Sequence, residues 1–254
     1  MSITDKVKLP LTRTPAEMKS PKKLLIYSKP KTGKTDLVAH LDNALIIDLE
    51  NGSYAFDALV YNVQKEAEKS GRTVLQEIKE LCKAIKEAGK PYKYVVIDTV
   101  TKLEELILPL ALNMYRSTPQ GKMFTGDNVL HLPNGAGYQF LRDALFAVLN
   151  ELYTTSDRII LLGHIKAKFL EKEGKEVQSV EVDLTGKIKT MVSADVDAIG
   201  LLYRSSHDKN TLSFKTVDEV TCGARSQHLK GEDFLISEVI DGKLKTYWDK
   251  IFID

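Results

Sequence analysis

The stretch LLIYSKPKTGKT, Leu24 to Thr35, constrains this chain more than any other. An apolar run, KLLIY, reads as a short buried strand. It is followed by Ser28-Lys29-Pro30-Lys31-Thr32-Gly33-Lys34-Thr35 and then by helical spacing at Leu37, Val38 and Leu41, ending at Asn43. A strand turning through such a loop into a helix gathers backbone amides and the positive end of a helix dipole at one point. The eight residues fit the phosphate-binding pattern G-x-x-x-x-G-K-[ST] except at the first position. Gly33 lets amides approach phosphate oxygens, Lys34 offers a point charge to β and γ oxygens, and Thr35 can ligate Mg²⁺. Ser28 departs from the pattern, since a β-carbon restricts φ where glycine is free. A lysine-rich surface turn would share the composition, but not the strand before it and the helix after it.

Two more apolar runs end in acids. YVVID ends at Asp98, followed by Thr99, and ALIIDLE ends at Glu50 before Asn51-Gly52. A carboxylate at the tip of a buried strand is placed to hold Mg²⁺ beside Thr35; Asp98 or Thr99 could equally cap the next helix. Glu50 suits a base that orients an attacking water. Asp48 is expected to face elsewhere.

The rest of the chain sets the frame. With 254 residues, 43% hydrophobic and 28% charged, the composition is that of an ordinary globular protein. A net charge of +1 gives no global pull toward polyanions, so any such site must come from local clusters. Cys82 and Cys222 are far apart, which argues against a disulfide framework or structural zinc. No apolar run is long enough to span a bilayer and the N-terminus lacks a signal-peptide core. A cytoplasmic protein without membrane contact is the expectation.

Pro10, Pro15 and Pro21 make residues 1–22 an extended arm, with one domain over 23–254. Helical periodicity is expected between about Tyr61 and Ala88 and again through LEELILPLALNMY. YQFLRDALFAVLNELY is a strong amphipathic helix, and DRIILLGHIKAK is a fourth buried strand. The segment Phe169 to Thr190 reads as charged and irregular. From about residue 195 short alternating strands follow. Strands alternating with helices predict an α/β fold, a mainly parallel central sheet flanked by helices, with antiparallel strands at one edge.

IYSKPKTGKT, IIDLENG, YVVIDTVTKL and IILLGHIKAK, in that order, resemble the RecA-like P-loop ATPase core. They are most similar to the small phage-encoded RecA-like ATPases of single-strand annealing and recombination. The resemblance spans roughly Lys22 to Tyr203. It implies Mg²⁺ and ATP as ligands, with Ser28 to Thr35 and Asp98 holding the nucleotide, Thr35 and Asp98 at the metal, Lys34 on the phosphates and Glu50 as the base. His164, at the end of the fourth strand, takes the place of the residue that senses the γ-phosphate; its bland reading is a satisfied polar residue at a strand end.

The resemblance also implies DNA-stimulated turnover and two loops that bind single-stranded DNA. These fall at about Met114–Tyr138, with Arg116, Lys122 and Phe124, and Lys166–Thr190, with Lys166, Lys168, Phe169, Lys187 and Lys189. Cations beside an aromatic ring are what such a groove needs, although five acids in the second segment dilute its charge. The TGKIK run at Thr185–Lys189 lacks a preceding apolar strand and is discounted as a phosphate loop. Assembly into a ring or filament would let a neighbour's arginine complete the site, with Arg225 in that role and Arg204 as its rival. A single-stranded-DNA-binding or replication protein is a further partner the resemblance allows. Two other readings stay open: an ATPase acting on a protein partner, as a helicase loader does, and a nucleotide-binding module with little turnover.

Overall fold

Leu24 and Ile26 point to one side of the central sheet and Leu25 and Tyr27 to the other, and all four are fully buried. The same division holds for Ile46 against Ile47, Val96 against Ile97, and Ile160 against Leu161. A strand covered on both faces needs an unbroken apolar run, and these runs supply it. Each buried aliphatic side chain contributes about 1.5–3 kcal/mol, so a charge at Ile97 would be among the most disruptive single changes.

The computed structural model describes residues 11–15, 17–172, 175–217 and 220–253; the side chains of 168–178 lie outside the described residues. Six strands run parallel: β1 (Lys23–Ser28), β2 (Ala44–Asp48), β3 (Leu59–Asn62), β4 (Tyr94–Asp98), β5 (Ile159–Lys172) and β7 (Ala198–Ser206). Their order is β7-β1-β5-β4-β2-β3. Beyond β7 the sheet continues antiparallel through β8 (Lys209–Ser213), β10 (Asp233–Ile240) and β11 (Lys243–Thr246), with the short β9 (Gly223–Ala224) also on β7. This is the predicted α/β architecture with its antiparallel edge.

Helices cover both faces. α1 (Lys34–Ala39) lies on the side of Leu24 and Ile26, where Leu37 and Val38 pack with Trp248 and Phe214. α3 (Val74–Glu87) and α6 (Gly137–Tyr153) cover the other side through Ile78, Leu81 and Ile85 and through Leu141, Leu145 and Leu149.

Several expectations need correction. The helix expected from about Tyr61 is preceded by the edge strand β3, and it is two helices: α2 (Val63–Ser70) and α3. Gly71, at φ 70°, ends α2, and a capping box of Thr73 with Gln76 restarts the chain as α3. The stretch LEELILPLALNMY spans α4 (Val100–Leu106) and α5 (Leu108–Arg116), divided at Ile107 because Pro109 cannot sit deeper than the first turn.

The segment from Phe169 is not irregular. β5 continues beyond the sheet to Lys172 and pairs antiparallel with β6 (Lys175–Val182), and α7 (Lys187–Asp195) follows. Alternation from Ile165 to Val182 carries the ribbon, but the charges interleaved in it read as loop. The first polar segment folds into three short 3-10 turns, at Gly121–Met123, Val129–His131 and Pro133–Gly135. Of the expected arm, residues 1–10 and 16 lie outside the described residues. Its end is tied to the body, since Ser20 Oγ accepts from Ile253 N at 2.9 Å.

Candidate active site

β1, β4 and β2 end at one edge of the sheet; β5, expected to end at His164, instead runs on past it to Lys172, and His164 lies beside the tip of β1. Ser28 is the last residue of β1, paired in register with His164 of β5. The loop then turns with Lys31 at φ 64° and Gly33 at φ 99° before α1 begins. The left-handed conformation at Gly33 is the one a β-carbon disfavours, which explains glycine there.

Ser28 has a use its departure from the pattern did not suggest. It is fully buried, and its Oγ accepts from Lys34 Nζ at 3.1 Å. Among the described residues Lys34 makes no ion pair. Burial pulls its ammonium below the ordinary lysine range, with Asp98 and Glu50 acting in the opposite sense.

Thr35 Oγ1 donates to Asp98 Oδ2 at 2.6 Å. Burial pushes the Asp98 carboxyl up to about 6, against the hydrogen bond from Thr35, and the neighbouring Glu50 and Asp48 charges add to the rise. A hydroxyl and a buried carboxylate at this spacing are hard oxygen donors of the kind Mg²⁺ takes. Among the described residues no three His, Cys, Asp or Glu side chains cluster as a protein-only metal site. The pair therefore fits a cation that arrives with phosphate oxygens completing its shell.

Glu50 leaves β2 in a turn built by Asp48. That carboxylate is buried and accepts from Glu50 N at 2.9 Å and Ser53 N at 3.0 Å. Asp48 was expected to face elsewhere, but it pairs in register with Asp98 and so shares its face of the sheet, and it shapes the turn that presents Glu50. Glu50 Oε1 accepts from Thr99 Oγ1 at 2.6 Å and lies 2.9 Å from His164 Nε2. The His164 hydrogen bond is the largest influence holding the Glu50 carboxyl below the usual range; burial opposes it, and Thr99 and Lys34 assist. A cavity of about 280 Å³ brings together Gly33, Lys34, Thr35, Glu50, Asp98 and His164. The arrangement can hold phosphates on amides and Lys34, a divalent cation on Thr35 and Asp98, and a water on Glu50.

The other sequence-derived candidates are scattered. Lys29 and Thr32 face a different cavity, shared with Arg204 and Tyr203. Arg225, expected to act on a neighbour's site, pairs here with Asp197 Oδ1 at 3.1 Å and donates to Ala194 O at 2.7 Å. Asp197 also receives the amides of Lys22 and Lys23, so this cluster sits at the opposite end of β1 from the loop.

Phe124 is half-buried and packs edge-on against Tyr115, ring centres 5.4 Å apart. Arg116 donates to Gly126 O, and Lys122 is exposed. Lys166 pairs with Asp183 and Lys189 with Glu181. The side chains of Lys168 and Phe169 lie outside the described residues.

Lys187 makes no ion pair among the described residues. It lines a cavity of about 530 Å³ with Tyr138, Arg142 and Gly186. The N-termini of α6 and α7 both bound this cavity; neither has a side-chain cap, and neither carries an acid in its first turn. At α6 the close turn requires Gly137, where a β-carbon would sit 1.9 Å from Val129 O. Sequence reading missed Tyr138 and Arg142. The uncapped starts of both helices were the available signal.

A family model described as an AAA domain matches residues 20–227. A solved structure described as the crystal structure of the RadB recombinase aligns over 90% of this chain and 92% of that chain, at 10% identity and a TM-score of 0.44. No curated protein matches.

Proposed function

The chain belongs to the AAA-domain family, and from that premise we propose that it is a Mg²⁺-dependent ATPase of RecA-like type. In this reading it binds single-stranded DNA and assembles with copies of itself for annealing or recombination. The observation that carries the ATPase half is the meeting of Glu50, Thr99 and His164 opposite Lys34 and the Thr35–Asp98 pair.

The loop amides and Lys34 bind the triphosphate. Thr35 and Asp98 would hold Mg²⁺, which supplies charge neutralisation on the phosphate oxygens. Glu50 accepts a proton from water, whose oxygen attacks the γ-phosphorus. The bond to the β–γ bridging oxygen breaks, giving ADP and phosphate. His164, which lines the same cavity, would pass its Nε2 hydrogen bond from Glu50 to a γ oxygen. Lys34 stabilises the charge that develops on the leaving oxygen.

The DNA half rests on the cavity between α6 and α7. Two uncapped helix N-termini, Arg142 and Lys187 favour phosphates, and Tyr138, 47% exposed, offers a ring for base stacking. One short helix touches both sites. α4 starts at Thr99, and its Glu104 accepts from Thr185 N at 3.0 Å at the entry to α7. That contact supports coupling of turnover to DNA.

Titration calorimetry with ATP and Mg²⁺, run on wild type and Glu50→Gln, tests the ATPase half. Both should bind and only wild type should turn over. Loss of binding in Glu50→Gln would remove Glu50 from the role of base. For DNA, fluorescence anisotropy with labelled oligo-dT should show affinity falling steeply with salt, and a salt-independent affinity would contradict the proposed phosphate contacts.

A further inference from the structure

Both hydrogen bonds to the Glu50 carboxylate reach the same oxygen. Thr99 Oγ1 and His164 Nε2 lie 2.6 Å and 2.9 Å from Oε1, while Oε2 has no hydrogen-bond partner among the described residues. Thr99 is fully buried at the tip of β4. Its hydroxyl has one proton and gives it to Glu50, while its oxygen accepts from Lys102 N at 3.1 Å as the cap of α4. Capping alone needs only an acceptor, which Asp or Asn also supplies. Facing a carboxylate at 2.6 Å, the residue must also donate, and Asp cannot. A β-branched side chain is stiff about χ1, so the hydroxyl returns to one place.

We propose that Thr99 is a positioning residue for ATP hydrolysis, fixing Oε1 of Glu50 so that Oε2 is the atom presented to the attacking water. The inference rests on the reading of Glu50 as the base. Thr99 itself touches neither nucleotide nor water. When His164 turns toward a γ oxygen, Thr99 is the partner that stays, so the carboxylate keeps its orientation through the step that uses it.

The test is steady-state hydrolysis and ATP binding by wild type, Thr99→Val and Thr99→Ser. Thr99→Val keeps the volume and removes the donor, so kcat should fall on the order of 10²-fold. KM and the ATP dissociation constant should stay within about twofold, as expected for an interaction that matters only in the transition state. Thr99→Ser restores the hydroxyl and should bring kcat back to within about fivefold of wild type. If Thr99→Val does not fold, Thr99→Cys takes its place, since a thiol is a poor donor. An unchanged kcat in the hydroxyl-free variant overturns the proposal. So does a joint loss of binding and turnover that Thr99→Ser fails to restore. Wild type that binds ATP without hydrolysing it would instead remove the reading of Glu50, and the role of Thr99 with it.

Discussion

The tip of the parallel sheet and the cavity between α6 and α7 both gather charge, in opposite ways. At the sheet tip each charged side chain is held by named hydrogen bonds: Lys34 on Ser28, Asp98 on Thr35, and Glu50 on both Thr99 and His164. At the cavity the favourable field comes from the open ends of two helices and Lys187, with Arg142, 3.6 Å from Asp143, also at the wall, while Lys166 and Lys189 pair with acids. The first arrangement suits chemistry, which needs groups fixed before substrate arrives. The second suits a flexible polyanion, which needs a field more than a geometry.

The largest effects are expected at the sheet tip. Lys34→Ala should lower turnover on the order of 10³-fold or more, read by phosphate release, because it removes the buried lysine of the phosphate-binding loop. Next, Glu50→Gln should lower kcat by about 10²- to 10³-fold with ATP binding retained. A similar kcat in both proteins would break the idea that the tip is built around Glu50.

Asp98→Asn separates stability from function. The folded pKa of Asp98, about 6, lies above its ordinary 3.8, so its ionisation disfavours the folded state. That penalty is absent below the unfolded value and complete above about 6. In chelator and without nucleotide, Asp98→Asn should therefore be more stable than wild type at pH 7.5, by up to roughly 3 kcal/mol. The gap should close as pH falls toward 4, followed by urea unfolding, while Mg²⁺-dependent turnover is lost throughout.

Smaller effects belong to the cavity. Lys187→Ala should weaken oligo-dT binding by about tenfold and reduce the salt dependence by somewhat under one ion, and Arg142→Ala, whose guanidinium also meets Asp143, by about fivefold. Lys166→Ala and Lys189→Ala, already paired, should change it by about twofold at most. If the paired lysines mattered more than Arg142 and Lys187, the distinction between the two regions would fail on the cavity side.

The same contrast explains what the sequence made legible. KLLIY, ALIID, YVVID and RIILL declare themselves as buried strands because both faces must be apolar, and a residue at the end of such a strand has one place to go. Asp98 could therefore be put beside the loop before any coordinates; Lys34 came from the loop pattern, Glu50 sits two residues past the end of β2, and His164 lies inside β5. Thr99 and Asp48 were harder, since a hydroxyl and a carboxylate beside the site read as caps until their partners are known. The ribbon of β5 and β6 was hidden because its alternation is interleaved with charge, and β3 because an edge strand before a helix blurs into the helix. Arg225 and Phe124 also carry contacts that residue type did not announce, Arg225 with Asp197 and Phe124 with Tyr115. Pairing of that kind is a long-range contact, which residue type alone does not reveal.

The central claim is that the two regions belong to one machine, joined by α4 through Thr99 and Glu104. Its most direct test is steady-state ATP hydrolysis, with and without a long oligo-dT, by wild type, Lys34→Ala and Glu104→Gln. The account predicts turnover in wild type that DNA stimulates, none in Lys34→Ala, and in Glu104→Gln a basal rate like wild type with the stimulation reduced. A wild-type rate indifferent to DNA, or stimulation left intact in Glu104→Gln, would contradict it.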